Sequence, residues 1–232
     1  MAAPAGTPRA RQTRDRLIEA AGGVFAERGY RGATMREIAE RAGANLAAAH
    51  YHFGSKLDLY RDVVSVHFER LEARLAERGG AVEALDASQP RERLVELRRA
   101  RVGTRLATLL EPGGVHPTLM QRELLDPSEA LPFIVARFIE PLQRDTARIL
   151  ARLAPSLDAA TVRRCMHSVV GQAAFYLTHR APLLSMMGRS AYPSGFADGV
   201  ADHIVAFTLG GLAALERERA RSGPRHGRRK TR

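Results

Sequence analysis

The chain of 232 residues has a single cysteine, no tryptophan and few aromatic residues, at 6% of the total. One cysteine excludes an internal disulfide, so folding must rest on burial of apolar surface. Cys165 itself falls in a helical apolar pattern with Val162, Met166 and Val169 and has no histidine base beside it, which reads as core and not as a nucleophile. No stretch approaches the roughly 20 uncharged apolar residues of a membrane span. The first residues also lack the apolar run of a signal peptide. A soluble cytoplasmic protein without a membrane partner is the expectation. His116 and His167 have no Cys, Asp or Glu at ligand spacing, so neither a metal nor another cofactor is expected. Enzyme signatures are missing too. Gly113-Gly114 is not followed by the Lys-Ser/Thr of a phosphate loop, and no Ser or Cys lies in a nucleophile elbow. The sequence therefore argues against an enzyme.

What is present is a hydrophobic content of 45% and a net charge of +11. The first is enough for a buried core in one domain or two small ones. The second points to a polyanionic partner, but its placement matters more than its size. Residues 217–232, RERARSGPRHGRRKTR, hold eight of the basic residues against one glutamate, and nothing apolar larger than alanine. That composition reads as a disordered basic arm from about residue 220 to 232, which by itself implies only nonspecific attraction to nucleic acid. Lysine is scarce: Lys56 and Lys230 stand among 36 basic residues.

Apolar residues recur at helical spacing in almost every long segment, and no alternating strand pattern is flanked by hairpin turns. The fold class is all-α, with about nine helices. The first runs from about Arg11 to Arg28, with Gly29 as its stop and a basic mobile segment holding Arg9 and Arg11 before it. Thr34-Met-Arg-Glu37 has the form of a capping box and starts a short helix that ends near Ala42. Gly43 permits a tight turn, Asn45 caps a second short helix, Gly54-Ser55 closes it, and Ser55-Lys-Leu-Asp58 starts a fourth helix reaching about Arg78. Gly79, Gly80 and Pro90 mark a linker. Further helices fit about 91–110, 116–125, 129–153, 159–181 and 197–219, broken by Pro112-Gly113-Gly114, Asp126-Pro127, Pro155 and a loop from Pro182 to Pro193.

Two short helices joined by a glycine turn and framed by longer ones describe a helix-turn-helix whose second member enters a DNA major groove. On that member Ala49 and Phe53 face inward toward Ile38 and Phe25. Asn45, Leu46, Ala47, Ala48, His50, Tyr51 and His52 are left as candidate DNA contacts. Small side chains let the helix approach base edges and thymine methyls, and His50 can bond a base edge. Thr34, Tyr51, His52 and Lys56 suit phosphate oxygens, and Arg36 can join them or reach a base. Packing of a turn explains the same residues without DNA.

Thr34-Met-Arg-Glu-Ile-Ala-Glu-Arg-Ala-Gly43, Tyr51-His-Phe-Gly-Ser-Lys56 and Leu59-Tyr60 resemble the signature of the tetracycline-repressor (TetR) family over about residues 12–61. The resemblance implies an Ω-shaped homodimer whose two reading helices enter successive major grooves of a near-palindromic operator. It also implies phosphate contacts by Thr34, Tyr51, His52 and Lys56. Asn45-Leu-Ala-Ala48 and His50 depart from the family's usual run there, so the operator sequence stays open. Farther on, His116-Pro-Thr-Leu-Met120, Arg122-Glu-Leu-Leu-Asp-Pro127, Phe138-Ile-Glu-Pro-Leu142 and Gly171-Gln172 are similar to the CecR-type subgroup.

The implied organisation is a helix-turn-helix domain over 10–56, a ligand-sensing and dimerisation domain over 57–219, and the tail over 220–232. Two late apolar stripes, Val162 to Leu177 and Val200 to Leu215, are suited to a four-helix dimer interface, although a monomeric core accounts for them equally. For a small-molecule effector the candidate walls are Met120, Phe133, Phe138, Phe175 and Tyr176. The candidate polar anchors are Arg101, Arg105, Arg122, Gln172 and His179. The arginines favour an anionic or aromatic acid. The mechanism expected is a ligand-responsive repressor in which the fourth helix acts as lever. A nonspecific nucleic-acid-coating protein driven by the tail is the alternative.

Overall fold

Thr7 starts the first helix, α1 (Pro8–Gly32), by accepting at its hydroxyl from the Ala10 amide, with Pro8 at the first helical position. Helix thus begins three residues earlier than expected, and Arg9 and Arg11 lie on its first turns, not in a mobile segment. The computed structural model describes residues 7–79, 89–111 and 114–222. Gly29 breaks α1 as expected, at φ 73° and ψ 170°, and a last helical turn follows it. Next come α2 (Met35–Arg41), α3 (Leu46–Phe53) and α4 (Lys56–Gly79). The chain continues with α5 (Arg91–Leu109), α6 (Val115–Leu125) and α7 (Leu131–Ile134). A π-helical turn (Val135–Ile139) leads into α8 (Glu140–Leu153), followed by α9 (Ala159–Thr178), α10 (Arg180–Met186) and α11 (Phe196–Ser222).

Taking 131–153 as one helix, ten helices and no strand are present among the described residues, so the all-α class holds. The addition to the expected nine is α10, which lies where the sequence predicts a loop. Pro182 stands in its first turn, where a missing amide costs no hydrogen bond. The π turn also has a local cause. Pro141 offers no amide to the carbonyl four residues back and its ring crowds it, and just before this point the Glu140 amide bonds the Val135 carbonyl instead.

Two compact units emerge, one from Met1–Arg74 with Ala107–Pro141, the other from Leu75–Leu106 with Leu142–Arg232. The first is organised by Leu17, Ala21, Val24 and Phe25 of α1, Ile38 of α2, Ala49 of α3 and Leu59, Tyr60, Val63 and Val64 of α4, all buried. Phe25 meets Tyr60 edge-on at 4.8 Å, and Tyr30 meets Tyr60 at 5.1 Å. The second unit centres on Leu94 and Leu97 of α5, Ile149, Leu150 and Leu153 of α8, Val162 and Met166 of α9 and Leu212 of α11. Cys165 packs against this cluster, and burial pushes its thiol up, which suits a core residue. The linker expected near 79–90 falls mostly on residues 80–88, outside the described residues, as does most of the basic tail.

Helix α11 is long and apolar enough, by length and composition alone, to cross a membrane. Its Val200, Ala201, Ile204, Val205, Thr208 and Leu212 are nevertheless buried inside the second unit, and Asp202 is paired with Arg99.

Candidate nucleic-acid interface

The reading helix is held by its two ends and one buried face. Helix α2 ends in a paired closure: the Ala44 amide bonds the Ala39 carbonyl at 2.9 Å and the Gly43 amide bonds the Glu40 carbonyl at 3.1 Å. That arrangement needs a left-handed residue, and Gly43 supplies it at φ 61°. Asn45 then caps α3 directly, its Oδ1 accepting from the Ala48 amide at 2.7 Å. Ala49 and Phe53 are buried, as the spacing predicts, and the Arg14 guanidinium lies 5.3 Å from the Phe53 ring. Gly54 closes α3 at φ 70°. Ser55 then caps α4: the Asp58 amide donates to Ser55 Oγ at 3.1 Å, and Ser55 Oγ donates in turn to the Asp58 carboxylate at 2.5 Å, while the Ser55 amide bonds the Phe53 carbonyl at 2.8 Å.

This frame leaves Leu46, Ala47, His50 and Tyr51 exposed on α3, with Tyr51 at 85%, while Ala48 and His52 are half-buried. His50 Nδ1 lies 2.9 Å from the Gly54 carbonyl oxygen. A carbonyl only accepts, so Nδ1 carries the proton there and Nε2 of the neutral ring is left as an acceptor. Thr34 and Arg36 at the start of α2 are exposed as well, and Thr34 Oγ1 accepts from the Glu37 amide at 3.2 Å. The reciprocal half of that expected box is not formed: the Glu37 carboxylate faces Arg28 Nε at 3.5 Å.

Lys56 is the expected contact that the structure places differently. Its ammonium donates to the Ala33 carbonyl at 3.1 Å and the Arg31 carbonyl at 3.4 Å, and it sits 4.6 Å from the Tyr30 ring centre. It ties the end of α1 to the start of α4. Several arginines of this unit are also paired, Arg41 with Glu27 through two bonds of 2.7 and 2.8 Å and Arg14 with Asp62 at 2.6 Å.

The expected ligand residues divide between the two units. In the first, Phe138 is buried and stacked on Phe68 at 4.5 Å, Phe133 meets Phe138 edge-on at 5.8 Å, and Met120 is half-buried. Arg122 turns toward α1, donating to the Ala26 and Glu27 carbonyls at 2.9 and 2.8 Å. It also borders a pocket of about 300 Å³ lined by Gly29, Tyr30, Tyr60, Thr118 and Glu123. In the second unit, Phe175 is exposed and stacked on His179 at 4.4 Å. Tyr176 meets Phe196 at 5.7 Å, and Gln172 bonds back to the Ser168 carbonyl. Arg101 is buried and bonds Asp145 at 2.8 Å, and Arg105 bonds Thr146 Oγ1 at 3.0 Å and the Leu142 carbonyl at 3.2 Å. Arg98, one turn before Arg101, is more deeply buried than either and was not among the expected residues.

Comparison with known proteins matches two stretches of the chain. Residues 17–63 match the family "Bacterial regulatory proteins, tetR family", and residues 90–212 match "HTH-type transcriptional dual regulator CecR, C-terminal domain". The dual regulator CecR of Shigella flexneri is 32% identical over 198 residues, covering 82% of this chain and 86% of that protein. The activator FasR of Mycolicibacterium smegmatis is 45% identical over 60 residues, 26% of this chain and 27% of that protein. Two similar solved structures share the fold. The fatty acid degradation regulator FadR from Bacillus halodurans aligns with TM-score 0.62 at 19% identity, over 89% of this chain and 97% of its own. AibR in complex with isovaleryl coenzyme A and operator DNA aligns with TM-score 0.61 at 16% identity, over 84% and 97%.

Proposed function

The chain belongs to the tetR family of DNA-binding transcriptional regulators, with a CecR-type C-terminal domain, and from that premise we propose a repressor that binds a near-palindromic operator as a homodimer and is released by a small-molecule effector. It is a regulator, not an enzyme. The observation that carries the proposal is α3 itself. Capped by Asn45, anchored by Ala49 and Phe53 and closed at Gly54, it presents Leu46, Ala47, His50 and Tyr51 on one open face. Small residues admit close approach to base edges, Nε2 of His50 accepts from a base amino group, and Tyr51, His52, Thr34 and Arg36 reach phosphates. Lys56 acts in this reading by holding α1 to α4, so that the cap of α2 stays in place.

Dimerisation is supported by apolar groups that the second unit leaves uncovered: Val170 and Phe175 on α9 and Phe207 on α11. A Cβ added at Gly171, Gly210 or Gly211 meets nothing within 4 Å, so these helix faces are open to a second copy of the chain. Helix α4 carries residues of both units and is the proposed lever. A coupling of about 1–3 kcal/mol gives roughly 5–150-fold loss of operator affinity when effector binds. Action on DNA places the protein in the cytoplasm.

The test is a fluorescence-anisotropy titration against the promoter of its own gene and a shuffled duplex of the same composition. Two chains per operator and a preference for the promoter are expected, with Tyr51→Ala losing at least about tenfold in affinity at unchanged melting temperature. Equal binding to both duplexes, insensitive to the substitution, points instead to a nonspecific coating protein driven by the basic tail.

A further inference from the structure

Helix α5 carries three arginines at positions 98, 101 and 105, a spacing of three, four and seven that puts them on one stripe. The stripe continues inward from Leu94 and Leu97, which belong to the core of the second unit. Arg98 is 2% exposed and Arg101 7%. Among the described residues Asp145 is the one carboxylate that acts on any of the three, and it bonds Arg101. Arg98 Nε and Nη2 and Arg105 Nε are buried without a hydrogen-bond partner. Arg105 satisfies its other nitrogens on Thr146 and a carbonyl, both neutral.

Three cations facing one anion in a desolvated helix stripe is an unfavourable arrangement when left as it stands. Burial and mutual repulsion push Arg98 down to about 10 and Arg105 down to about 9, so both still carry their charge at neutral pH. A structural guanidinium in a core is ordinarily matched by a carboxylate; here two forks are held in place without one. Their neighbour Arg99 shows the ordinary solution, paired through two nitrogens with Asp202 on the exposed side of the same helix.

We propose that Arg98 and Arg105, with Arg101 pre-set by Asp145, form the recognition site for an oxyanion, so that the effector is a small acid presenting a carboxylate or phosphate group to this stripe. Planar forks with paired N–H donors match both of those groups and not a neutral or cationic ligand. The inference rests on the effector-release reading above and names the chemistry of the effector it requires. Binding removes the uncompensated charge, so occupancy and stability of the second unit rise together.

The experiment uses the full chain without DNA, so its outcome is separate from that of the operator titration. Melting temperature is followed against citrate and against inorganic phosphate, with ionic strength held constant by sodium chloride, for wild type, Arg98→Met, Arg98→Lys and Arg105→Met. Once binding saturates, the wild type gains about 3–5 °C for each tenfold rise in free anion. Arg98→Met and Arg105→Met retain only the general salting-out response, while Arg98→Lys responds at roughly tenfold higher anion because a point charge replaces the fork. Without anion, Arg98→Met melts no lower than wild type, since it loses an unmatched charge and not a bond. A response to citrate alone identifies carboxylates as the effector group, and a response to phosphate alone identifies phosphates. Wild type responding to both anions no more than the two methionine variants do, or Arg98→Met melting well below wild type in their absence, overturns the proposal.

Discussion

His67 and His116 face each other with ring centres 6.0 Å apart, and Phe68 lies edge-on to His116 at 5.2 Å. Burial pushes both imidazoles down to about 4; Arg70 adds to this at His67, and His67 and Arg74 add to it at His116. Unfolded histidine titrates near 6.5. Between about pH 6.5 and 4 the unfolded chain therefore binds more protons than the folded one, and stability falls as pH drops through that window. His116 alone contributes about 2 kcal/mol of loss by pH 5. Urea unfolding at pH 7.5 and pH 5 measures it, and His116→Phe should lose less on acidification than wild type; an equal loss removes the histidine from the account. The sequence marks His116 as part of the CecR-like run His116 to Met120 and gives it no metal partners, but nothing in its local pattern shows what packs on it. Arg98 is a different case. The series 94, 97, 98, 101, 105 keeps the helical phase of the core, so the signal was present, but six arginines crowd α5 and composition alone does not separate the buried Arg98 from the paired Arg99.

Among the elements, α1 shows how a legible stop takes on a second task. The sequence marks Gly29 as a helix end, and it does break the helix, at a φ and ψ open essentially to glycine alone. The carbonyls of Ala26 and Glu27 just before it are bonded by Arg122 from α6, and those after it, at Arg31 and Ala33, by Lys56 from α4. Gly29→Ala should destabilise by about 1–3 kcal/mol from backbone strain, and its new Cβ would also meet Arg122 Nη1 at 3.3 Å. Denaturant midpoints check this, and a change under about 0.5 kcal/mol would mean that the left-handed geometry is not required. The sequence suits both cations to contacts outside the chain, Lys56 to phosphate and Arg122 to ligand. Carbonyls left free at a helix break are invisible until the elements that satisfy them are in place.

The whole molecule depends on what covers α9 and α11. Helix α11 buries one side within the second unit and leaves Phe207 65% exposed. If the proposed dimer forms through this face, Phe207→Asp should give a species of 25.4 kDa by light scattering where the wild type gives twice that mass, with the operator bound more weakly and without two-chain stoichiometry. A variant that stays dimeric places the interface elsewhere. The same apolar excess makes α11 satisfy a membrane-span criterion, so hydropathy without burial and pairing is ambiguous at this scale.

Helical class and the three caps around the reading helix were determined by sequence, because they depend on periodicity and on interactions within about five residues of chain: Asn45 with Ala48, Ser55 with Asp58, Gly43 with the end of α2. The family signature over Thr34 to Tyr60 is of the same local kind. Tertiary structure alone decided which of many arginines lies inside, which cation is held by a carbonyl and which helix faces are left open. Those outcomes depend on burial and charge matching between residues far apart in the chain, where local pattern carries no information about the partner.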